Sequence, residues 1–215
     1  MPQIFNRSSV LLMKVVLLAV VGLLCGTVAI AHWIMTPAEA GAYVPQPVPF
    51  SHKHHVGDLG IDCRFCHTSV ERSAFAGLPS TQTCLTCHSQ LFRDAPMLQP
   101  LHASALRKQP IAWNRVHDLP DFVYFDHSIH VNKGVACLEC HGRVDQMPLM
   151  QSQVTLDMQW CLGCHRDPAR HIRPLNEVFS MQDAKPLSAD EVRQLQRLLA
   201  IQSRTRLQDC STCHR

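Results

Sequence analysis

The chain has 215 residues, enough for one ordinary domain, but its 11 cysteines and 14 histidines are far more than ordinary core building requires. Only 6% of the residues are aromatic. The 20 Lys and Arg side chains nearly balance the 17 Asp and Glu, and no long basic run occurs, which argues against a nucleic-acid-binding protein.

The first element is an apolar run, VLLMKVVLLAVVGLLCGTVAIA, that starts at Val10. Together with Trp33, Ile34 and Met35 it reaches the roughly 20 residues that a membrane helix needs. It is longer than the apolar core of a cleaved signal peptide, and the cleavage-like sequence at 38–40 lies far beyond it. We therefore predict a retained transmembrane anchor over 10–35.

Arg7 and Lys14 lie on the amino-terminal side of the uncharged stretch. By the positive-inside rule, residues 1–9 should be cytoplasmic and the rest of the chain should lie outside the cytoplasm. This arrangement predicts a single-pass protein of the bacterial inner membrane with its main domain on the periplasmic side. Residues 36–49, TPAEAGAYVPQPVP, are rich in Pro, Ala and Gly and read as an extended linker.

Five motifs of the form Cys-x-x-Cys-His, numbered here first to fifth in chain order, account for ten of the eleven cysteines. This pattern is typical of c-type haem attachment, in which two thiols bond one haem and the next histidine binds its iron. A zinc site does not require a histidine after every second cysteine, and a redox thiol pair would occur singly. The predicted attachment residues are Cys63, Cys66, Cys84, Cys87, Cys137, Cys140, Cys161, Cys164, Cys210 and Cys213, and the proximal iron ligands are His67, His88, His141, His165 and His214.

Five covalently bound haems c, each with iron, are therefore expected within the 166 residues from Phe50 onward. So little chain per haem leaves no room for a conventional protein core. We expect a mainly α and irregular fold, in which short helices and loops wrap packed haems. Covalent haem attachment takes place outside the bacterial cytoplasm, which agrees with the orientation deduced from the basic residues.

An internal repeat links the first and third motifs. FSHKHHVGDLGIDCRFCH (50–67) aligns with FDHSIHVNKGVACLECH (125–141), with one residue inserted before the first cysteine of the earlier copy. Each copy is followed by a further motif. The repeat predicts a four-haem region over 50–170, made of two two-haem units, and a C-terminal region over 171–215 with the fifth haem.

Nine histidines lie outside the motifs, and the repeat discriminates among them. His52 aligns with His127, and His55 aligns with His130. His54 aligns with Ile129 and is therefore not predicted to be an iron ligand. Histidines at i and i+3 lie on one side of a helical turn, so each pair can serve two haems. The predicted distal iron ligands are His52, His55, His127 and His130, with His117 for the fifth haem and Met147 as the alternative to His117.

The choice between His117 and Met147 matters electrically, because a Met/His-ligated haem has a higher potential than a bis-His haem. His102 and His171 are expected to be surface histidines. In the C-terminal region, residues 188–207 predict one amphipathic helix that leads to Cys210. Ser188 and Glu191 form a capping-box pattern at its start.

The element Phe-x-His-x-x-His-Val before Cys-x-x-Cys-His resembles the haem-binding units of class III multihaem cytochromes, the c3 and c7 types. That resemblance implies that His52 binds the same iron as His67 and that His55 reaches a neighbouring haem. A larger match is carried by the anchor, the five motifs, WNRVHDLPDFVYFDHSIHVNKGVACLECHGRV and MQWCLGCHRDP. These resemble the pentahaem cytochrome subunit (ActA type) of bacterial alternative complex III.

The resemblance implies an electron-transfer subunit that is not an enzyme on its own. It would relay electrons within a quinol:acceptor oxidoreductase toward a periplasmic carrier or a terminal oxidase. The implied partners are an iron–sulfur subunit, quinol-binding membrane subunits, a monohaem cytochrome c and membrane lipid.

Two other classes stay open from the sequence. One is an enzyme with an open haem site, either a stand-alone membrane-anchored quinol dehydrogenase or a multihaem reductase. The other is a haem-based sensor, although no part of the chain resembles a signalling output domain. Low-spin irons only would favour the relay, and a stoichiometric high-spin iron would favour the enzyme.

Overall fold

The computed structural model describes residues 6–35, 40–41 and 43–214. It divides the chain into two compact units, residues 1–38 and residues 39–215. The first unit contains helix α1 (Arg7–Met35). The helix begins where Asn6 accepts the backbone N–H of Ser9 at 2.8 Å. The stretch of 27 residues from Arg7 to Trp33 is long and apolar enough to cross a membrane.

The second unit is built from short helical segments joined by loops. Its α-helices are α2 (Cys63–Cys66), α3 (Thr81–His88), α4 (Gln99–Arg107), α5 (His127–Asn132), α6 (Cys137–His141), α7 (Met158–Arg166), α8 (Ala189–Leu198), α9 (Arg204–Leu207) and α10 (Cys210–Cys213). A π-helical turn spans Lys53–Asp58, and 3-10 turns span Pro96–Leu98, Val144–Gln146, Pro168–Arg170 and Leu175–Glu177. In the described part of the chain, β pairing is limited to isolated bridges, at Tyr43–Gln151, Val123–His214 and Val135–Ile172. The predicted mainly α and irregular fold is confirmed.

The attachment motifs lie on short helices that their own sequence starts. Asp62, Ser80, Asp157 and Asp209 each precede a motif helix and accept a backbone N–H from its first turn. Such side-chain caps satisfy donors that a helix start leaves unpaired. Only α6, which follows Ala136, starts without a side-chain cap. These caps fix where four of the five motif turns begin.

Buried apolar side chains form several small clusters instead of one core. Each consists of three buried residues: Val48, Leu98 and Leu101; Val70, Val131 and Val178; Val144, Met147 and Met181; and Ile172, Leu195 and Leu199. A domain of this size ordinarily packs around one contiguous core. The separate clusters are what a protein needs if prosthetic groups occupy most of its interior.

The single helix predicted over 188–207 is wrong. Helix α8 has the predicted capping box of Ser188 and Glu191, but it ends at Leu198, and Ala200 adopts a left-handed conformation (φ 47°). A second helix, α9, starts after Ser203. The carbonyls of Leu199 and Ala200 accept hydrogen bonds from Lys133 Nζ at 2.8 and 3.3 Å. This contact with a distant lysine is a tertiary interaction that helical periodicity does not contain.

Candidate haem-binding site

Each motif places its two thiols and its imidazole on one side of a helical turn. Residues at i, i+3 and i+4 of a helix share a face, and these are the positions of the two cysteines and the histidine. All ten motif cysteines are free thiols. The local geometry therefore suits the attachment of one planar group by two sulfur atoms with an imidazole beside it.

Four of the five motif histidines are oriented by backbone carbonyls. In each, Nδ1–H donates to an oxygen, which leaves Nε2 free to bind a metal; a ligating histidine usually shows this pattern. The pairs are His67 with Gly77 O at 2.7 Å, His88 with Leu91 O at 3.0 Å, His165 with Leu207 O at 2.8 Å, and His214 with Phe122 O at 3.1 Å. The exception is His141, whose buried Nδ1 has no hydrogen-bond partner among the described residues.

Three of the predicted distal histidines face a motif histidine. The ring centres are 6.1 Å apart for His55 and His88, 6.4 Å for His127 and His141, and 6.2 Å for His130 and His165. Two imidazoles on opposite sides of one metal, each bonded at about 2.0–2.1 Å, have ring centres about 6.3 Å apart. The spacing of all three pairs thus fits one iron held between two imidazoles.

Backbone carbonyls also orient these three distal rings. Nδ1–H of His55 donates to Ser51 O at 2.8 Å, that of His127 to Ala74 O at 2.8 Å, and that of His130 to Asp126 O at 2.7 Å. Nε2 is again the nitrogen left for a metal. The donor set, two imidazoles with two thiols nearby, is that of a bis-His c-type haem.

The remaining recurrent histidine, His52, is close to the first motif. Burial, followed by repulsion from His67 and His55, lowers the pKa of His52 to about 4. A lowered histidine pKa keeps the ring neutral, which is the form that binds a metal. Its buried Nδ1 has no hydrogen-bond partner within the described chain. The structure thus brings His52 and His67 together.

The pKa values of other ring nitrogens in the site are lowered for the same reason. Burial, then repulsion from His117 and His127, lowers the pKa of His141 to about 3. Burial lowers the pKa of His130 and of His117 as well. Buried imidazoles therefore stay uncharged at neutral pH and keep a lone pair available for iron.

The two candidates for the fifth distal ligand both lie beside residues of the third motif. His117 sits edge-on against His141 with ring centres 4.4 Å apart, closer than two rings with a metal between them would be. Met147 is buried with Val144 and Met181 and packs against Cys137. The ring beside His214 is Phe122, at 5.9 Å. The choice between His117 and Met147 stays a prediction.

The other histidines differ in their surroundings. His54 is exposed and lies 3.5 Å from the carboxylate of Asp58. His171 was expected at the surface, but it is half-buried, and its Nδ1 donates to Glu139 at 3.1 Å. Arg173, which is buried, pairs with the same carboxylate. His102 was also expected at the surface; it is half-buried, and its buried Nε2 has no partner in the described residues.

Thiols of different motifs lie near one another. The interaction between the neighbouring thiols of Cys63, in the first motif, and Cys137, in the third, lowers the pKa of Cys63 and raises that of Cys137. Burial, then repulsion from Cys164, raises the pKa of Cys140 to about 12. Burial, then repulsion from Glu139, raises that of Cys164 to about 11.

Several residues that shape the site were missed by sequence reasoning. They are the carbonyl acceptors at Ser51, Ala74, Gly77, Leu91, Phe122 and Leu207 and the group formed by Glu139, His171 and Arg173. A carbonyl oxygen carries no side-chain signature, so no sequence pattern marks it. Glu139 could have been predicted from the sequence as a charged group of the site, because it lies between the two cysteines of the third motif and therefore beside the haem that they attach.

Comparison with known proteins adds to this geometry. Residues 123–215 match the family model described as cytochrome c7 and related cytochrome c. This chain carries a multihaem cytochrome c domain. Cytochromes of this family carry covalently bound haem c, which fits the thiol pairs of the motifs in the matched part.

A curated relative points the same way. Over 110 residues the chain is 36% identical to a protein from Nitratidesulfovibrio vulgaris (strain Hildenborough) named menaquinone reductase, multiheme cytochrome c subunit. The match covers 51% of this chain and 51% of that protein, so the chain spans about half the length of this relative. The matched part of the chain is thus similar to a multihaem cytochrome subunit of a menaquinone reductase.

Proposed function

We propose that this chain is a membrane-anchored pentahaem cytochrome c that relays electrons within a quinol-oxidising respiratory complex. The observation that carries the proposal is the set of imidazole pairs with ring centres 6.1, 6.4 and 6.2 Å apart. An iron held between two imidazoles has no open position for a substrate. A protein with such sites in series is suited to electron transfer and not to chemistry on a bound molecule.

In this proposal every motif holds one haem through its two cysteines. The proximal ligands are the motif histidines His67, His88, His141, His165 and His214. The distal ligands are His52 for the first haem, His55 for the second, His127 for the third and His130 for the fourth. For the fifth haem, His117 and Met147 are the candidates.

Each haem, when bound, supplies a one-electron couple between Fe(III) and Fe(II). The side chains determine what that couple can do. Imidazoles on both sides keep small molecules away from the metal, and Nδ1–H donors to backbone carbonyls fix the ring planes. The half-buried carboxylate of Glu139 and the buried guanidinium of Arg173 set the local charge, which tunes a haem potential.

The anchor and its flanking charges support a single-pass protein of the bacterial inner membrane with the haem domain on the periplasmic side. The resemblance carried by the anchor, the five motifs and the sequence around the third and fourth motifs favours the pentahaem subunit of alternative complex III. In that setting the chain would pass electrons from quinol-oxidising subunits toward a periplasmic carrier or a terminal oxidase. Its partners would be an iron–sulfur subunit, quinol-binding membrane subunits and a monohaem cytochrome c.

The relative's name supports a second candidate, in which the electrons run toward menaquinone. The series of haems and its ligands would be the same, and only the direction of electron transfer would differ. The native complex, purified through this subunit, separates the two. Reduction of its haems by menaquinol alone supports quinol oxidation. Reduction only by a reduced periplasmic cytochrome, with menaquinone as the final acceptor, supports the second candidate.

The ligand assignment is tested on the intact oxidised protein. Mass measurement of the mature chain should show five covalently added haems. Electron paramagnetic resonance and magnetic circular dichroism should show low-spin irons only, with a Met-ligated signature for at most one. A stoichiometric high-spin iron would contradict the relay and favour an enzyme with an open haem site.

A further inference from the structure

Backbone contacts between the two two-haem units are reciprocal. Lys53 N donates to Met147 O at 2.9 Å, and Ser128 N donates to Ser73 O at 3.2 Å. Lys53 and Ser128 occupy the same position of the repeat. Ser73 and Met147 each lie six residues after the proximal histidine of their own unit. Each unit therefore uses the same atoms to bind the same place on the other.

A second reciprocal contact involves the next turn of each unit. A Cβ on Gly57 would overlap the carbonyl oxygen of Asp145, so the two backbones touch there. At the equivalent position of the repeat, Asn132 Nδ2 donates to Glu71 O at 2.9 Å. Asp145 and Glu71 each lie four residues after their proximal histidine. Such self-complementary contacts are the mark of a two-fold relation.

The first and third motifs meet at the centre of this arrangement. Cys63 and Cys137, the first cysteine of each motif, are neighbours whose thiols interact with each other. Val70 and Val131, one from each unit, pack together in a buried cluster. The two units thus contact each other through their first-attached haem sites.

The second and fourth motifs lie on the outer sides. His52 and His55 belong to one turn; His52 lies near His67 of the first motif, and the ring of His55 faces that of His88 in the second. His127 and His130 belong to α5, and they face the third and fourth motifs. Each turn therefore holds one inner and one outer site side by side.

The fifth motif extends the series beyond the fourth. Leu207 O, three residues before Cys210, accepts the Nδ1–H of His165 at 2.8 Å. Helix α9 also packs against α7, which carries the fourth motif. At the two outermost sites the thiols are the most open: Cys87 of the second motif and Cys210 of the fifth are exposed, and every other motif cysteine is at least partly covered.

We propose that the five sites form one unbranched series in the spatial order second, first, third, fourth, fifth, built by two-fold-related packing of the two units. Electrons enter or leave at the second and fifth sites and cross between the units only at the contact of the first and third. This inference rests on the proposed relay function. Haem number and spin state test that function, whereas the order is tested separately below.

The experiment counts how many haems each end can reach. In a Cys25→Ser background, a cysteine replaces Arg93, which follows the second motif, or Thr205, which lies in α9 beside the fourth and fifth; both positions are exposed. A ruthenium photosensitiser is attached to it. Light drives one electron from the sensitiser to the nearest Fe(III) haem, and a sacrificial amine re-reduces the sensitiser. In the otherwise native protein, both labels should reduce all five haems rapidly.

The interface variant is Gly57→Val, because its side chain meets the backbone of Asp145 and pushes the units apart. With the label at position 93, two haems should still be reduced rapidly and three slowly. With the label at position 205, three should be rapid and two slow. The matched control is Gly60→Ala, three residues on in the same segment, whose added Cβ meets nothing within 4 Å, and both labels should again reach five.

Any other division of the haems overturns the proposed order, as does rapid reduction of all five in a folded Gly57→Val protein. If Gly57→Val does not mature, Gly57→Ala is the smaller step and has the same expected division.

An independent measurement leaves the interface intact. His55→Met raises the potential of the second haem, so that haem traps electrons. A single electron injected at position 93 should reach this trap directly, whereas one injected at position 205 should reach it more slowly, because it must first pass through the other four haems. Arrival at the same time from both labels would contradict the series.

Discussion

The turns that carry the two histidine pairs, 50–61 in the first unit and 125–135 in the second, have almost the same ring geometry on different backbones. Phe50 stacks on His55 at 4.4 Å and 25°, and Phe125 stacks on His130 at 4.5 Å and 27°. The edge contacts match too, at 4.9 Å and 88° for Phe50 with His52, and 4.7 Å and 87° for Phe125 with His127. What the two units share is the placement of three aromatic rings.

The backbones differ because the first copy is one residue longer. In the first unit the turn Lys53–Asp58 is π-helical, with Leu59 N bonded to His54 O at 3.1 Å. In the second unit, α5 is an α-helix. A π-helical turn accommodates an extra residue within a helix and is frequent at functional sites. The insertion is thus absorbed after the histidines, so the ligand spacing stays the same.

The units differ also in how firmly each turn is held. Asp126 caps α5 and Ala74 O orients His127, whereas His52 has a buried Nδ1 without a partner in the described part of the chain. The first unit instead depends on close backbone contact with the second at Gly57. The comparison teaches that equal ligand geometry is maintained by unequal support, and the following experiments test it.

The largest expected effect comes from removing a distal ligand. His55→Ala and the equivalent His130→Ala should each convert one of the five low-spin haems to a high-spin form. His54→Ala is the matched control, because His54 is exposed and aligns with the exposed Ile129. Electron paramagnetic resonance of the oxidised proteins measures all three. A change in His54→Ala like that in His55→Ala would show that the two turns have been matched incorrectly.

The next effect separates two equivalent glycines. Gly60 and Gly134 both have positive φ, at 67° and 80°. A Cβ on Gly60 meets nothing within 4 Å, but one on Gly134 would lie 2.5 Å from Arg173 O. Gly60→Ala should cost about 1–2 kcal/mol from the left-handed conformation alone. Gly134→Ala should cost about 3 kcal/mol or more, since backbone must also move.

Denaturant unfolding, followed by far-ultraviolet circular dichroism, measures this difference as a shift of midpoint at constant slope. Equal destabilisation by the two substitutions would mean that Gly134 does not pack against the segment around Arg173. Such a result would contradict the close contact between Gly134 and the backbone of Arg173.

A smaller effect concerns the start of each turn. Asp126 accepts the N–H of Ile129 at 3.2 Å and the hydroxyl of Ser128 at 2.6 Å, whereas Ser51 accepts only the N–H of His54, at 3.2 Å. Asp126→Ala should cost about 1 kcal/mol, typical of a lost helix cap. Ser51→Ala should cost about half as much, since it loses one exposed bond. The denaturant midpoints of the two variants measure this difference. A larger loss of unfolding free energy in Ser51→Ala than in Asp126→Ala would contradict the stronger support of the turn in the second unit.

The smallest effect comes from one reciprocal contact. Asn132→Ala removes the hydrogen bond from Nδ2 to Glu71 O, which is exposed, and should cost about 0.5–1 kcal/mol. Asn132→Asp is a sharper variant, because it removes the donor and keeps the shape. Stability unchanged in both variants would show that this side of the two-fold contact contributes nothing measurable.

Much of the fold could be predicted from the sequence. The apolar run from Val10 predicts a membrane-length helix, and the observed helix begins three residues before that run, at Arg7, where Asn6 provides a cap. The mainly helical and irregular character follows from too many haem motifs in too little chain. The helix predicted over 188–207 failed because Lys133, more than fifty residues away, binds the carbonyls at which the helix stops.

Some features of the candidate site could also be predicted from the sequence, and others could not. The motifs and the repeated histidines are local patterns, and spacings of three and four residues place side chains on one side of a turn whatever surrounds it. Which histidine faces which motif is not local: His55 faces His88, 33 residues on in the chain. The contact of His171 with Glu139 could not be predicted, because the partner is 32 residues away.

The sequence by itself determined the chemistry: ten thiols and five imidazoles in attachment motifs, two matching histidine pairs, and an apolar anchor. Only the tertiary structure decided which motifs are neighbours, through contacts such as Cys63 with Cys137 and His165 with Leu207. The physical reason is that ligand chemistry depends on residue type and short spacing along one turn. The order of sites depends on how separate turns pack, and the two-fold contact that sets it is made largely by backbone atoms, which are the same in every residue.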